Sequence, residues 1–180
     1  MNDIEFQPWQ KIGRGSPFNV TVTEKIDGTN GCIVIQDGDV VAVQSRKRFI
    51  TPDDDNFGFA RWVDENKDDL LSLGDGHHYG EWAGPGIQKN PHNLDRKTFF
   101  LFNTFRWNDD NPNRPQCCSV VPVLYQGELT PTRLDFIMAK LLHTSEQSGY
   151  QAEGVIVYYH SMRTYSKHTY QNSEGKWRNA

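Results

Sequence analysis

The stretch EKIDGTNG, residues 24–31, places a single lysine, Lys25, between an acidic residue and an Asp-Gly pair. Residues 20–23 (VTVT) alternate β-branched side chains, and residues 32–35 (CIVI) are apolar, so strands are predicted on both sides. Lys25 therefore lies at the end of a strand, in a tight turn that carries two glycines. This position favours an amine that is held toward a pocket over one that only contacts solvent.

The hydrophobic pattern predicts more strands than helices. Asp37-Gly38 indicates a hairpin turn, Thr130 is a helix cap followed by Pro131, and residues 108–116 are a Pro/Asn loop. Helices are predicted over residues 57–73 and 131–142, and strands over residues 20–24, 32–36, 40–45, 77–82, 97–106, 120–125, 155–159 and 164–170. The strands pair locally, so the predicted fold class is α+β with mainly antiparallel sheets.

Composition limits the possible functions. The 180 residues carry a net charge of -4, so any site for a polyanion must be a local basic patch. No apolar run is long enough for a membrane span, and no membrane partner is expected. Cys32, Cys117 and Cys118 have no spacing typical of metal ligands or of a disulfide framework, which indicates reduced thiols and an intracellular, cytoplasmic protein.

Charged residues recur beside the predicted strands, and they are the candidates for chemistry. Taken singly, each is most commonly an ordinary surface residue. Phenylalanines at alternating positions 100 and 102 are more commonly core than a platform for a base. The occurrence of all these stretches in one order along the chain favours a functional site over the ordinary interpretations. The charged members of this ordered set are Lys25, Arg46, Glu81, Glu153 and Lys167.

Six stretches in this order resemble the motifs of the covalent nucleotidyltransferases, which include RNA ligases, DNA ligases and mRNA capping enzymes. They are EKIDGTN, SRKR, YGEWAGPGIQ, FFLFNTF, EGVIVYY and TYSKHT, and they cover most of residues 20–170. The set is most similar to ATP-dependent phage RNA ligases of the double-strand-repair type. The resemblance implies a nucleotidyltransferase (adenylation) domain of mainly antiparallel sheets with flanking helices.

The resemblance assigns the catalytic roles. Lys25 would attack the α-phosphorus of ATP and form a lysine–AMP adduct, with pyrophosphate as the leaving group. An amine attacks only when it is unprotonated, so a neighbouring cation such as Lys167, a bound metal or desolvation is expected to promote loss of the proton. Glu153 suits Mg²⁺ or Mn²⁺, or the metal's waters. Arg46 is expected near the phosphates.

Nucleotide contacts are implied for further residues. Glu81 suits the ribose hydroxyls as an acceptor, and Phe102 suits stacking on the base, with Phe100 as packing on the same face. The resemblance places Glu24 near the adenine edge and Asn30 near the phosphates. The full set of expected cofactor contacts is Glu24, Ile26, Asn30, Arg46, Glu81, Phe102 and Lys167.

Two departures from the family pattern bear on function. The last motif usually carries two lysines two residues apart, but here the partner of Lys167 would be Tyr165 or Thr169. Such ligases also usually add a second domain. Here the expectation is one minimal domain over residues 1–180, with no separate C-terminal or OB domain.

The expected function is joining of a 3′-OH to a 5′-phosphate at RNA ends, with a nicked duplex as one form of the substrate, in the host cytoplasm if the protein is of phage origin. A capping guanylyltransferase or a small DNA ligase is an alternative enzyme. A non-catalytic nucleotide- or RNA-binding module on the same fold is an alternative of another class. The oligomeric state stays open.

Overall fold

Alternating β-branched and apolar residues form most of the structure, as two β-sheets. The computed structural model describes residues 19–108 and 110–170, and the elements below refer to that part of the chain. The strands are β1 (Asn19–Glu24), β2 (Thr29–Gln36), β3 (Asp39–Ser45), β4 (Phe49–Ile50), β5 (Gly76–Ala83), β6 (Thr98–Leu101), β7 (Cys118–Val120), β8 (Val123–Glu128), β9 (Gly154–Tyr159) and β10 (Thr164–Thr169). The α-helices are α1 (Phe59–Glu65), α2 (Lys67–Leu70) and α3 (Pro131–Gln147), and a 3-10 turn covers Leu71–Leu73.

The strands divide between a six-stranded and a four-stranded sheet. The large sheet has the order β4-β3-β2-β5-β6-β7, and the small sheet has the order β10-β9-β1-β8. Every pair is antiparallel except β6 with β7, which run parallel. The α+β class with mainly antiparallel sheets is therefore confirmed.

Each sheet has its own apolar core. In the large sheet, Ile33 and Phe99 pack against Phe59 and Val63 of α1. In the small sheet, alternate residues of β1 and β9 pack against α3; the fully buried members are Val20, Val22, Val155 and Val157. Because one face of each sheet is covered by helices, the opposite faces remain for a site.

The helix expected over residues 57–73 is shorter and broken. Phe57 has a φ of +55°, in the left-handed region, so the helix begins only at Phe59. Asn66 leaves the helical region at φ -113°, and its amide nitrogen donates to the carbonyl of Trp62 at 2.8 Å. This side-chain bond competes with the helix backbone and separates α1 from α2.

Two predicted strands also differ in the structure. The strand expected over residues 97–106 ends at Leu101, because Asn103 then forms a turn in which its carbonyl accepts from the amide of Trp107 at 2.9 Å. The strand expected over residues 120–125 is two strands, β7 and β8, in different sheets. Pro122 lies between them and has no N–H to donate to a ladder.

Helix α3 begins where the sequence predicts and ends later. The side chain of Thr130 accepts a hydrogen bond from the amide of Arg133, and Pro131 is the first helical residue. The helix continues to Gln147, past the expected residue 142. The three cysteines are free thiols, and no helix of the described residues has the length and apolarity needed to cross a bilayer.

Candidate active site

Lys25 is the first residue after β1, where the chain leaves the small sheet for the large one. Its backbone amide donates to the carbonyl of Gly154 at 2.9 Å, and its side-chain Nζ donates to Oε2 of Glu153. The two side chains form an ion pair that is 23% and 30% exposed. The predicted nucleophile and the predicted metal ligand are therefore direct neighbours.

Gly154 allows β10 to approach the start of β9 closely. It has a φ of +144°, and a Cβ at this position would lie 2.1 Å from the carbonyl oxygen of His168 on β10. Only glycine fits there without moving the strand. The Glu-Gly pair of the sequence thus sets Glu153 immediately before the inner strand β9, where it contacts Lys25.

A row of three residues crosses the large sheet on the face opposite α1. Asn30, Glu81 and Phe100 are paired in register on β2, β5 and β6, so their side chains share one face. The amide nitrogen of Asn30 donates to Oε2 of Glu81 at 3.1 Å. Two of the expected nucleotide contacts are therefore joined directly.

The pKa of Glu81 is shifted by several charged side chains that lie near its carboxyl group. Burial, with a smaller contribution from the carboxylates of Glu153 and Asp27, raises this pKa from 4.5 to about 7, whereas Lys25 and Arg46 act in the opposite direction. These groups come from both sheets and from the connection between them. Of the predicted set, Lys25, Arg46 and Glu153 therefore lie close enough to Glu81 to act on its carboxyl group.

Arg46 and Lys167, the other two cations of the predicted set, are both exposed. Arg46 follows the end of β3 and acts on Glu81 through its charge. Lys167 lies on β10 in register with Ile156 of β9, which is in turn in register with Thr23 of β1. Thr23 is two residues before Lys25, so Lys167 is on the same face of the small sheet as the approach to the nucleophile.

The two phenylalanines of the fourth motif differ in environment. Phe100 is half-buried and packs with Ile26, Ala83 and Val121. Phe102 follows the end of β6 and is 41% exposed. Ile26 is 5% exposed within the same apolar cluster, so its side chain is part of the packing between the sheets.

Glu24 has a partner that the sequence did not indicate. Its Oε1 is 3.2 Å from Nε2 of His92, and both side chains are only 7% exposed. The His92 ring stacks on Tyr150 with centroids 5.4 Å apart, and the pKa of Tyr150 is raised to about 12 by burial and by the Glu24 carboxylate. The side chain of Glu24 is thus held by the loop between β5 and β6. A lone histidine in a loop carries no sequence signal for this role.

A cavity of about 300 Å³ opens beside the ion pair. The same loop forms one wall, and Gln88 donates from Nε2 to the carbonyl of Gly28 at 3.2 Å. The volume is at the lower end of the range of small-molecule sites. The lining residues are Asp27, Gln88, Lys89, Pro91, Gln151, Ala152 and Glu153.

The donor set suits a metal that is shared with phosphates. Among the described residues, no group of three or more His, Cys, Asp or Glu is arranged as a protein cage for a metal ion. Mg²⁺ is usually bound by one or two carboxylates together with substrate phosphates and waters. The carboxylates of Glu153 and Asp27 both raise the pKa of Glu81, because three carboxyl groups lie near one another. A bound cation would reduce the repulsion between their negative charges.

Comparison with known proteins gives a match to one family and matches to solved structures of similar fold. The sequence model of a family described as RNA ligase matches residues 18–177. Among solved structures, an apo mutant of Naegleria gruberi RNA ligase has a TM-score of 0.56 and 19% identity, covering 84% of this chain and 50% of that one. The same ligase with PPi has a TM-score of 0.58 and 20% identity, covering 84% and 50%.

A mutant of that ligase with AMP and Mn has a TM-score of 0.58 and 19% identity, covering 85% of this chain and 50% of that one. At these identities the likeness concerns the fold. The chain spans about half the length of the solved structures that it matches. A search of curated proteins found no significant match.

Proposed function

Because this chain belongs to the RNA ligase family, we propose that it is an ATP-dependent RNA ligase that works through a lysine–AMP adduct. The observation that carries the proposal is the contact of Lys25 with Glu153 at the edge of the cavity. A lysine that only contacted solvent would have no reason to be half-buried beside a cavity of ligand size.

The first step would be attack by Nζ of Lys25 on the α-phosphorus of ATP. The N–P bond forms, the bond from the α-phosphorus to the bridging oxygen breaks, and pyrophosphate leaves with that oxygen. The amine must lose its proton to attack, and the Glu153 carboxylate is its hydrogen-bond partner in the free protein. Glu153 therefore orients Nζ before the nucleotide binds.

Charges of this chain would stabilise the transferring phosphoryl group. Negative charge develops on its oxygens, and the cations proposed to stabilise it are Arg46, whose charge acts on Glu81, and Lys167 on β10. A Mg²⁺ or Mn²⁺ ion bound through Glu153 would supply further positive charge. Mutants of the Naegleria ligase were solved with ATP and Mn, which supports ATP and a divalent metal here.

Recognition of the nucleoside would fall to the large sheet. Glu81 has a carboxyl group held by Asn30 and is suited to the ribose hydroxyls. Phe102 is the more exposed ring of its motif and is suited to stacking on the base. AMP would then pass from Lys25 to the 5′-phosphate of an RNA end, and a 3′-OH would displace it to form the phosphodiester bond.

The test is covalent labelling. Incubation with α-labelled ATP and a divalent metal should give a label that survives denaturation, and Lys25→Ala and Lys25→Arg should abolish it while the fold is retained. Lys140→Ala, at an exposed position of α3, is the matched control.

Labelling that survives in either Lys25 variant at the parent's rate would overturn the assignment of the nucleophile. Labelling by GTP instead of ATP would indicate a capping guanylyltransferase. Sealing of nicked DNA in preference to RNA would indicate a DNA ligase. Absence of any label would indicate a non-catalytic nucleotide-binding module.

A further inference from the structure

Four aromatic rings form a cluster that the proposed chemistry does not use. Tyr158 of β9 lies at its centre, with ring-centroid distances of 4.8 Å to Tyr165, 5.4 Å to His160 and 6.0 Å to Phe105. Phe105 also lies 5.2 Å from His160. We call these four residues the aromatic patch; they come from the β9–β10 hairpin and from the turn after β6.

The aromatic patch is not part of either core. Phe105 is 64% exposed and Tyr165 is 69% exposed, although large aromatic side chains are mostly buried in folded proteins. Tyr158 is in register with Thr21 and Tyr165, whereas its neighbour Val157 points to the α3 side and is fully buried. The patch therefore lies on the face of the small sheet that α3 leaves open.

The position of the patch is continuous with the candidate active site. Tyr165 precedes Lys167 by two residues on the same face of β10, a distance of ~7 Å along a strand. Tyr158 is in register with Thr21, four residues before Lys25, which corresponds to ~13 Å. A stacked nucleic-acid strand advances ~3.4 Å per nucleotide. The patch thus lies about two to four nucleotides from the reacting groups.

The charge of the hairpin fits a polyanion. Residues 154–169 contain Arg163 and Lys167 and no Asp or Glu, in a chain whose net charge is -4. One ring of the patch is also held in place, because Nε2 of His160 is 3.0 Å from Oγ1 of Thr21. Flat rings with fixed orientation beside cations are the elements of a surface that binds single-stranded nucleic acid by stacking.

We propose that the aromatic patch is a stacking site for unpaired bases of the RNA strand whose end reaches Lys25. This inference rests on the proposed function for the identity of the strand, but the binding itself does not depend on catalysis. The site deepens that function by selecting RNA ends that are single-stranded near the junction, since a base must be unpaired to place its face on a ring.

The experiment uses direct binding of a 5′-phosphorylated RNA that carries 2-aminopurine two to four nucleotides from its end. Stacking quenches the fluorescence of this base, so the readout is independent of ligation. The variant is Phe105→Leu with Tyr165→Leu, which keeps apolar side chains at both exposed positions and removes the rings. Phe136→Leu is the matched control, because Phe136 is 61% exposed on α3, away from the patch.

We expect the double variant to lose most of the quenching and to raise the Kd for RNA by about ten- to a hundredfold. The factor between parent and variant should persist as salt increases, because stacking is not a counterion effect, whereas Lys167→Ala should reduce the slope of affinity against salt. Tyr165→Phe alone should bind as the parent does.

Parent-like quenching and affinity in the double variant would overturn the proposal. The same result would follow if the rings were covered by another part of the chain, a second copy or a protein partner. Labelling with ATP is measured in the same samples. If labelling is absent in the parent while quenching depends on the rings, the proposed ligase function fails and the stacking site stands.

Discussion

Replacement of Glu81 by glutamine should change how the stability of the protein depends on pH. Burial and two neighbouring carboxylates raise the pKa of Glu81 from 4.5 to about 7. Between these values the folded protein holds the proton more tightly than the unfolded chain does. The free energy of unfolding therefore falls as pH rises through this window.

The magnitude follows from the two pKa values. A pKa shift of one unit corresponds to ~1.4 kcal/mol for a single group. The shift from 4.5 to about 7 therefore lowers the free energy of unfolding by about 3 kcal/mol once the pH is above 7. Glu81→Gln removes this titration, and its side-chain oxygen can still accept the hydrogen bond from Asn30. The variant should gain about 2–3 kcal/mol relative to the parent between pH 5 and pH 8.5.

Urea unfolding at a series of pH values measures the difference in free energy of unfolding between variant and parent. Glu65→Gln, at an exposed position of α1, is the control for a loss of one carboxyl group and should give a difference that varies little with pH. A difference for Glu81→Gln that is constant from pH 5 to pH 8.5 would refute the reasoning, because Glu81 would then titrate alike in both states.

Three further predictions concern nucleotide binding and packing. Phe102→Ala should raise the Kd for ATP by about ten- to a hundredfold, measured by calorimetry, and an unchanged affinity would contradict base stacking by this ring. Gly31→Ala would place a Cβ 2.5 Å from the buried ring of Phe59, so thermal unfolding should show a loss of about 1–3 kcal/mol; an unchanged Tm would show that the ring can move aside. His92→Ala leaves the buried Glu24 carboxylate with Tyr150 as a partner but without the imidazole, so urea unfolding should show a loss of about 1–3 kcal/mol; a loss below ~0.5 kcal/mol would mean that water replaces the ring.

Local sequence patterns predicted the strands that carry the site. The β-branched runs on either side of Lys25 form β1 and β2, and the Asp37-Gly38 turn joins β2 to β3. The predicted and observed elements differ where a single residue interrupts a continuous hydrophobic pattern. Asn66 interrupts a helical pattern, and Pro122 divides one apolar run between two sheets. Neither outcome follows from hydrophobic periodicity, because both depend on where the backbone hydrogen bonds go.

Motif order predicted that Lys25, Glu81 and Glu153 belong together; in the structure Lys25 contacts Glu153, and the charges of both act on Glu81. The contact of His92 with Glu24 and the aromatic patch were not predicted. Both depend on pairs that are far apart in the sequence, such as Glu24 with His92, and a single chain gives no local signal for such pairs. The catalytic and nucleotide-binding roles assigned to the predicted site residues, Ile26 and Phe102 included, remain predictions.

The place of β1 in the small sheet has a consequence for biosynthesis. The large sheet is built from residues 29–120, a continuous part of the chain, but β1 pairs with β8 and β9, which are made roughly 100 residues later. At ~5–20 residues per second, a ribosome takes roughly 5–20 s to supply β8. Until then β1 has open edges that can pair with other chains. The segment that carries Lys25 is thus translated early and assembled late, so a nascent chain cannot hold its nucleophile in place before most of the protein has been made.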